Sequence, residues 1–244
     1  MDEHERSRTG IDEHERHTGM GMGASTGVSV AHPLVSRVRR AGADMLPNWI
    51  ITRRGNPKKR RVALTFDDGP DEMTDEYLKL LDTLKIRATF FLVGKNVANR
   101  RNAVLDMVSA GHEVAGHGYT HRRFTKLSQD ELRDELNSTA ALLPPPRTPR
   151  PLVRPPHGST SLQSLLRCAR AGYTTVLWSA DSADARIAHA DQVATQLGPD
   201  RLAPGDIVLL HEGQRWTLDA LPRIVRGLQA AGFELVTVGE VLSP

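Results

Sequence analysis

Polar and apolar positions divide the chain near residue 60. From Arg61 onward, short apolar or β-branched runs alternate with longer stretches in which apolar residues recur every three or four positions. The short runs predict strands at Val62–Phe66, Ala88–Val93, Glu113–Ala115, Pro151–Val153, Thr174–Trp178, Ile207–Leu210 and Glu234–Val238. The longer stretches predict amphipathic helices over Asp75–Leu84, Val97–Ala110, Gln129–Leu143, Leu162–Ala171, Gln192–Leu197 and Leu218–Ala231. Gly111, Gly172 and Gly232 stand just past three of them, where a left-handed residue ends a helix. Ser128 with Glu131 three residues on, ahead of Leu132 and Leu136, fits a capping box. Sustained alternation of this kind predicts a parallel sheet with helices outside it, either rolled into a barrel or left open. In both architectures chemistry belongs at the carboxyl ends of the strands.

The first 60 residues lack such a period. Asp-Glu-His-Glu-Arg occurs at Asp2 to Arg6 and again at Asp12 to Arg16, and a run rich in Gly, Met, Ser and Thr follows from Gly19 to Gly27. Residues 1–60 are therefore expected to form a disordered tail and linker, with one folded domain over 61–244. His4, His14 and His17 offer metal donors among acidic neighbours, but a solvated low-complexity tail accounts for them. Pro57-Lys58-Lys59-Arg60-Arg61 resembles a nuclear-localisation cluster, yet it abuts the first strand and serves as a basic lead-in.

A chain of 244 residues with 39% hydrophobic residues can bury one substantial core. The net charge of +3 comes from 26 Arg and 6 Lys scattered along the sequence, with no basic stripe interleaved with aromatics, which argues against a nucleic-acid partner. The sequence contains no run of about 18 apolar residues, and its start carries no apolar core of a signal peptide, so no membrane association and a cytoplasmic location are expected. The single cysteine, Cys168, excludes an intrachain disulfide and a cysteine-based zinc site.

Candidate chemistry collects at the predicted strand ends. Thr65-Phe66-Asp67-Asp68-Gly69-Pro70 follows the apolar run Val62–Leu64 and delivers two adjacent carboxylates to the mouth of a buried strand. One can ligate a cation while the other moves a proton; the plain alternative is an aspartate capping the next helix. After the third strand come His117 and His121, which on one helical turn would point the same way and grip one ion. With Asp68 they make a set that leaves coordination positions open for water and substrate. Later strand ends supply Arg154-Pro155-Pro156-His157-Gly158, then Trp178 through Asp184, then Ile207 through His211. Each has an ordinary structural explanation, but together they line one rim.

Thr65–Gly69, His117–His121, Arg154–Gly158, Trp178–Asp184 and Leu209–His211 resemble the five sequential motifs of the polysaccharide deacetylases, carbohydrate esterase family four, which share the NodB-homology domain. The resemblance spans about Arg61 to Val238. It implies an α/β fold, a distorted seven-stranded (β/α) barrel, with a divalent metal, zinc or else cobalt, that removes acetyl groups from N-acetylated carbohydrates. It further implies Asp68, His117 and His121 as metal ligands, Asp67 as general base held ionised by Arg154, and His211 as general acid oriented by Asp181. The backbone N–H of His157 would face the oxyanion, Leu209 would shape the acetyl pocket, and Trp178 would pack beneath the site.

The chain departs from the family pattern in several places. Gly118 replaces a usual Ser or Thr, which is expected to loosen the metal loop. His157 replaces a usual Tyr, where only its backbone is asked to act, and Glu212 replaces a usual Asp, a mild change. Ala185 replaces a usual Trp, so that one wall of the sugar groove is expected to be missing. An O-acetyl esterase and a non-catalytic carbohydrate-binding relative are the alternatives to an N-deacetylase.

Overall fold

The computed structural model describes residues 46–244. The expectations placed on residues 1–45, including the repeated acidic motif and His4, His14 and His17, lie outside the described residues. In chain order the elements are β1 (Ile51–Thr52), β2 (Arg61–Asp67), α1 (Thr74–Thr83), β3 (Thr89–Leu92), α2 (Gly94–Asn99), α3 (Arg101–Ser109), β4 (Glu113–Gly116) and α4 (Gln129–Ala140). They continue with β5 (Leu152–Val153), α5 (Leu162–Arg170), β6 (Thr174–Val176), β7 (Ala180–Asp181), α6 (Ala190–Gln196), β8 (Ile207–His211), α7 (Arg215–Ala230), β9 (Glu234–Val236) and α8 (Val238–Leu242).

Every named strand pairs in parallel, in the order β1-β6-β5-β4-β3-β2-β8-β7, and β9 joins the first half of β2. The sheet curls into an incompletely closed (β/α) barrel. All seven predicted strands are present, and β1 and β7 are short additions. Residues 50–60 are thus not a free linker: Ile50, Ile51 and Thr52 are buried, and β1 pairs with β6.

Two apolar layers follow from the period of two along each strand. Val62, Leu64 and Phe66 of β2, with Val208 and Leu210 of β8, pack outward with Tyr77, Leu81, Met107, Leu221 and Leu228 of the helices. The alternate residues Ala63 and Ile207 turn inward with Phe91, Ala115, Val176 and Val236 to fill the barrel. Asp67 continues the inward set of β2, and His211 continues that of β8. In register, Asp67 and His211 are partners across the two strands.

Helix boundaries differ from the expected ones for local reasons. The stretch expected as one helix over Val97–Ala110 breaks at Arg100 (φ −136°, ψ 48°) into α2 and α3. The first residues of α2 are drawn aside, because the N–H groups of Gly94 and Lys95 donate to the carbonyls of Gly118 and Tyr119. Helix α4 stops at Ala140 ahead of Pro144-Pro145-Pro146, since a residue before proline disfavours helical backbone. The final strand ends at Val236 because Thr237 caps α8, its hydroxyl accepting from the Glu240 N–H. Among the described residues no helix is long and apolar enough to cross a membrane.

The capping box at the start of α4 is present, with Glu131 N donating to Ser128 Oγ at 3.2 Å and Ser128 N donating to Glu131 Oε2 at 2.8 Å. Replacement of Ser128 by Ala is expected to lower unfolding free energy by about 1 kcal/mol, read from the urea midpoint at unchanged slope. An unmoved midpoint would show that the cap contributes nothing.

Candidate active site

At the open carboxyl end of the barrel, Asp67 is 3% exposed and meets a guanidinium that is fully buried, Arg154. Arg154 Nη1 donates to Asp67 Oδ1 at 2.6 Å and to Thr65 Oγ1 at 2.7 Å, while Nε and Nη2 reach the carbonyls of Val176 and Leu177 at 3.4 Å. The guanidinium lies over the Phe91 ring at 3.9 Å and the Trp178 ring at 5.7 Å. With Oδ1 so engaged, Oδ2 of Asp67 is the oxygen turned toward His117, whose Nε2 is 3.8 Å away.

Asp68 lies beside it on the same cavity, although successive residues of a strand point to opposite faces. Its φ of 76° breaks the alternation. Oδ1 of Asp68 faces His117 Nε2 at 3.4 Å and His121 Nε2 at 3.0 Å, and ligand atoms of the three residues lie within 4.8 Å of one another. His117 Nδ1 donates to the Arg154 carbonyl at 2.8 Å, which leaves the Nε2 lone pair for the cavity. The same Asp68 Oδ1 is buried without a hydrogen-bond donor. Two imidazole nitrogens and one carboxylate oxygen converging in this way fit a divalent transition metal with open positions.

His117 and His121 do not sit on a helical turn. The segment after β4 is a loop in which Gly118 (φ 75°) and His121 (φ 60°) take left-handed backbone, and that reversal brings the rings to 5.1 Å between centroids. The loop is also not loosened by Gly118. Glu135 of α4 accepts from the N–H groups of Tyr119 at 2.6 Å and Thr120 at 2.8 Å and from the Thr120 hydroxyl, and a Cβ on Gly118 would meet Glu135 and Phe124 at 3.2 Å. Glu135 was visible in the sequence only as a carboxylate beside Leu132 and Leu136 on the apolar face of a helix. Asn96 of α2 adds a bond to the Asp68 carbonyl at 2.8 Å.

Across the cavity, the orienting partner of His211 is Asp184 and not Asp181. Asp184 Oδ1 accepts from His211 Nδ1 at 2.7 Å, and Oδ2 accepts from the His211 N–H at 2.8 Å. Asp181 is exposed, accepts from the Ala183 N–H at 2.7 Å and pairs with Arg186 at 3.2 Å. The left-handed turn at Ala183 (φ 60°) carries the chain inward and delivers Asp184, which is 0% exposed.

The other expected positions also border the cavity. Leu209 is buried on β8 two residues before His211, and so faces inward with it. His157 has φ 61° and an exposed side chain whose ring lies 4.6 Å from that of His121. Trp178 packs against Gly158, where a Cβ would come within 2.6 Å of the indole. Glu212, read from the sequence as a mild change, is a buried carboxyl beneath the Asp68 turn. Its Oε1 accepts from the Thr74 hydroxyl at 2.8 Å, Oε2 would meet a Cβ on Gly69 at 1.5 Å, and burial pushes its pKa up to about 8.

Burial disfavours the imidazolium of His211, but the hydrogen bond and charge of Asp184, helped by Asp67 and Asp68, outweigh it and raise its pKa above the ordinary value. Burial likewise works against ionisation of Asp184, and His211 with Thr217 reverses it. A group raised on folding contributes stability that is complete below its unfolded pKa and is lost as pH rises through the folded one. Replacing Asp184 by Asn removes the anion, so the His211 ring-proton titration followed by NMR is expected to move to lower pH. A midpoint unchanged from the parent protein would rule out Asp184 as the controlling partner.

Residues 54–176 match the polysaccharide deacetylase family. A chitooligosaccharide deacetylase from Bradyrhizobium sp. is 34% identical over 194 residues, covering 72% of this chain and 88% of that protein. The crystal structure of a peptidoglycan N-acetylglucosamine deacetylase superposes with a TM-score of 0.74 at 29% identity, over 86% of this chain and 97% of the other. A pseudoenzyme of the same esterase family from Bacillus anthracis superposes with a TM-score of 0.73 at 28% identity, over 82% of this chain and 71% of the other. A barrel that turns its carboxylates and imidazoles to one rim in this sequential order, matched at this extent, places the chain in the polysaccharide deacetylase family, carbohydrate esterase family four.

Proposed function

We propose that the protein is a metal-dependent deacetylase that hydrolyses the N-acetyl group of an amino sugar, an oligosaccharide or a small sugar-containing metabolite. The observation that carries this is the placement of Asp67 and His211 as partners in register on neighbouring strands, beside the convergent Asp68, His117 and His121. An amide is a poor electrophile with a poor leaving group, so its hydrolysis needs an activated water, an electrophile at the carbonyl oxygen and a proton for nitrogen. Asp68, His117 and His121 would hold the ion. When bound, zinc or cobalt would supply Lewis acidity, bringing the pKa of a water toward about 7 and polarising the acetyl carbonyl.

The remaining work belongs to the chain itself. Asp67 takes the proton from the attacking water through Oδ2, since Arg154 fixes Oδ1 and aims the carboxylate. His211, its Nδ1 bound to Asp184, presents Nε2 to the departing amine and delivers the proton. The backbone N–H of His157 faces the developing oxyanion, a single such donor being worth roughly 3 kcal/mol. Leu209 closes the acetyl pocket, and Trp178 backs Arg154. The acid must carry its proton near neutrality, and Asp184 beside His211 favours the protonated imidazole.

The likeness to a pseudoenzyme gives a non-catalytic alternative its motive. Against it, the two carboxylates, two imidazoles and the facing imidazole are all present and converge.

Metal-loaded protein is expected to release acetate from N-acetylated chitooligosaccharides faster than from acetylated xylan, and chelation should abolish the release until zinc or cobalt is restored. Full activity after metal stripping would exclude the metal-dependent route. Asp67→Asn should bind the metal as the parent does while turnover falls by about 10²- to 10⁴-fold. If that variant stayed within about tenfold of the parent, Asp67 would not be the base.

A further inference from the structure

The buried carboxylate behind His211 is held from more sides than its role as a single hydrogen-bond acceptor requires. Besides the two bonds from His211, Asp184 Oδ2 accepts from the hydroxyl of Thr217 at 2.8 Å, and the Asp184 carbonyl accepts from the indole N–H of Trp216 at 2.8 Å. Its own N–H donates to Ser182 Oγ at 3.2 Å. Trp216 and Thr217 are neighbours on the first turn of α7, three and four residues past the end of the Glu212-Gly213 link from β8. Thr217 and Ser182 are 0% exposed.

The turn that carries Trp216 and Thr217 is itself tied to the strand that carries His211. The Tyr77 hydroxyl, on α1, donates to the carbonyl of Gln214, the residue that caps α7, at 2.8 Å and lies 3.3 Å from the carbonyl of His211. Tyr77 is 0% exposed and packs edge-on against Phe66 at 5.4 Å between ring centroids, on the outward face of β2. Helix α1, the start of α7, the end of β8 and the loop after β7 therefore close on one carboxylate. Any rotation of that carboxylate would swing the imidazole whose Nδ1 it holds.

We infer that the first turn of α7 is a positioning device for the proton donor, in which Thr217 and Trp216 fix Asp184 and through it aim His211. This rests on the assignment of His211 as the general acid. Thr217 is fully buried against the Asp184 carboxylate, and the Trp216 indole holds the Asp184 carbonyl, so each acts through Asp184. With the Thr217 hydroxyl gone, Oδ2 keeps only the His211 backbone N–H. The carboxylate is then held only by the residue it has to orient, with no outside group to fix its rotation about Cβ–Cγ, and Nε2 loses its aim at the leaving nitrogen. Misplacement on the scale of 1 Å costs about 10²-fold in rate.

The test uses zinc-loaded full-length protein and a chitooligosaccharide, with Thr217→Val, Thr217→Ser and Trp216→Phe made in the parent and in an Asp184→Asn background. Thr217→Val is expected to lower kcat about tenfold or more at nearly constant KM, and Trp216→Phe to lower it less. Thr217→Ser, which keeps the hydroxyl, should recover kcat to within about twofold. Because both residues act through Asp184, Thr217→Val should add nothing in the Asp184→Asn background. A second readout needs no turnover: the deshielded Nδ1 proton of His211 in the NMR spectrum should exchange faster in Thr217→Val and Trp216→Phe, and not in Thr217→Ser.

Unchanged kcat and unchanged exchange in both Thr217→Val and Trp216→Phe would overturn the inference, as would an equal loss from Thr217→Ser. If Thr217→Val fails to fold, Trp216→Phe decides by the same two measures. If the parent protein shows no deacetylation at all, the acid assignment falls, while the Nδ1 exchange still decides whether α7 positions the Asp184–His211 pair.

Discussion

The contact on which the site depends is the buried ion pair between Arg154 and Asp67. A guanidinium with no exposed surface needs its charge matched and its donors used, and here one carboxylate, one hydroxyl and two carbonyls share that task from β2 and from the end of β6. Breaking such a pair by removing one partner leaves an uncompensated buried charge, which costs about 3 to 5 kcal/mol. The pair is also positional. Arg154 holds Asp67 by its side chain and His117 by its carbonyl, so base and metal ligand take their orientation from the same residue. The guanidinium also lies over the Phe91 and Trp178 rings.

The strand architecture was legible because its signal is repeated. Val62, Leu64 and Phe66, or Val208 and Leu210, are apolar on the outward face, while Ala63 and Ile207 fill the interior, and such runs bounded by polar turns have few alternatives. β1 and β7 were not legible, because two residues cannot display a period and their pairing depends on neighbours far away in sequence. The break between α2 and α3 was hidden for a related reason: the helical pattern runs through Arg100, and what divides it is the docking of Gly94 and Lys95 on the histidine loop.

At the site, residue types were legible and loop geometry was not. The stretch from Asp181 to Asp184 offers two carboxylates three apart, and the resemblance assigned the orienting role to the first. Which of them turns inward is settled by the left-handed backbone of Ala183, a conformation that an alanine does not announce. Gly118 was the reverse case. Treated as a lost hydroxyl it suggested a slack loop, whereas its positive φ and the nearness of Glu135 and Phe124 make a small residue the condition for a loop that Glu135 then ties down.

The two neighbouring carboxylates after β2 show why the strain lies where it does. In a regular strand Asp67 and Asp68 would face opposite sides of the sheet, one toward the barrel and one toward the helices, and only one could serve the cavity. The left-handed backbone at Asp68 turns the second carboxylate back to the first, at a cost on the order of 1 kcal/mol or more. Of the five non-glycine residues with positive φ among the described residues, four border the cavity or carry its residues into place: Asp68, His121, His157 and Ala183. Such a conformation persists only where its surroundings fix it. Around Asp68 they do, through Asn96 on its carbonyl, the Val93 N–H on the carbonyl of Gly69, and Glu212 filling the space where a side chain at Gly69 would stand. The adjacent acid pair is therefore a demand on the backbone as much as on side-chain chemistry, and the chain meets it by departing from strand geometry at the one residue where both carboxylates must share a cavity.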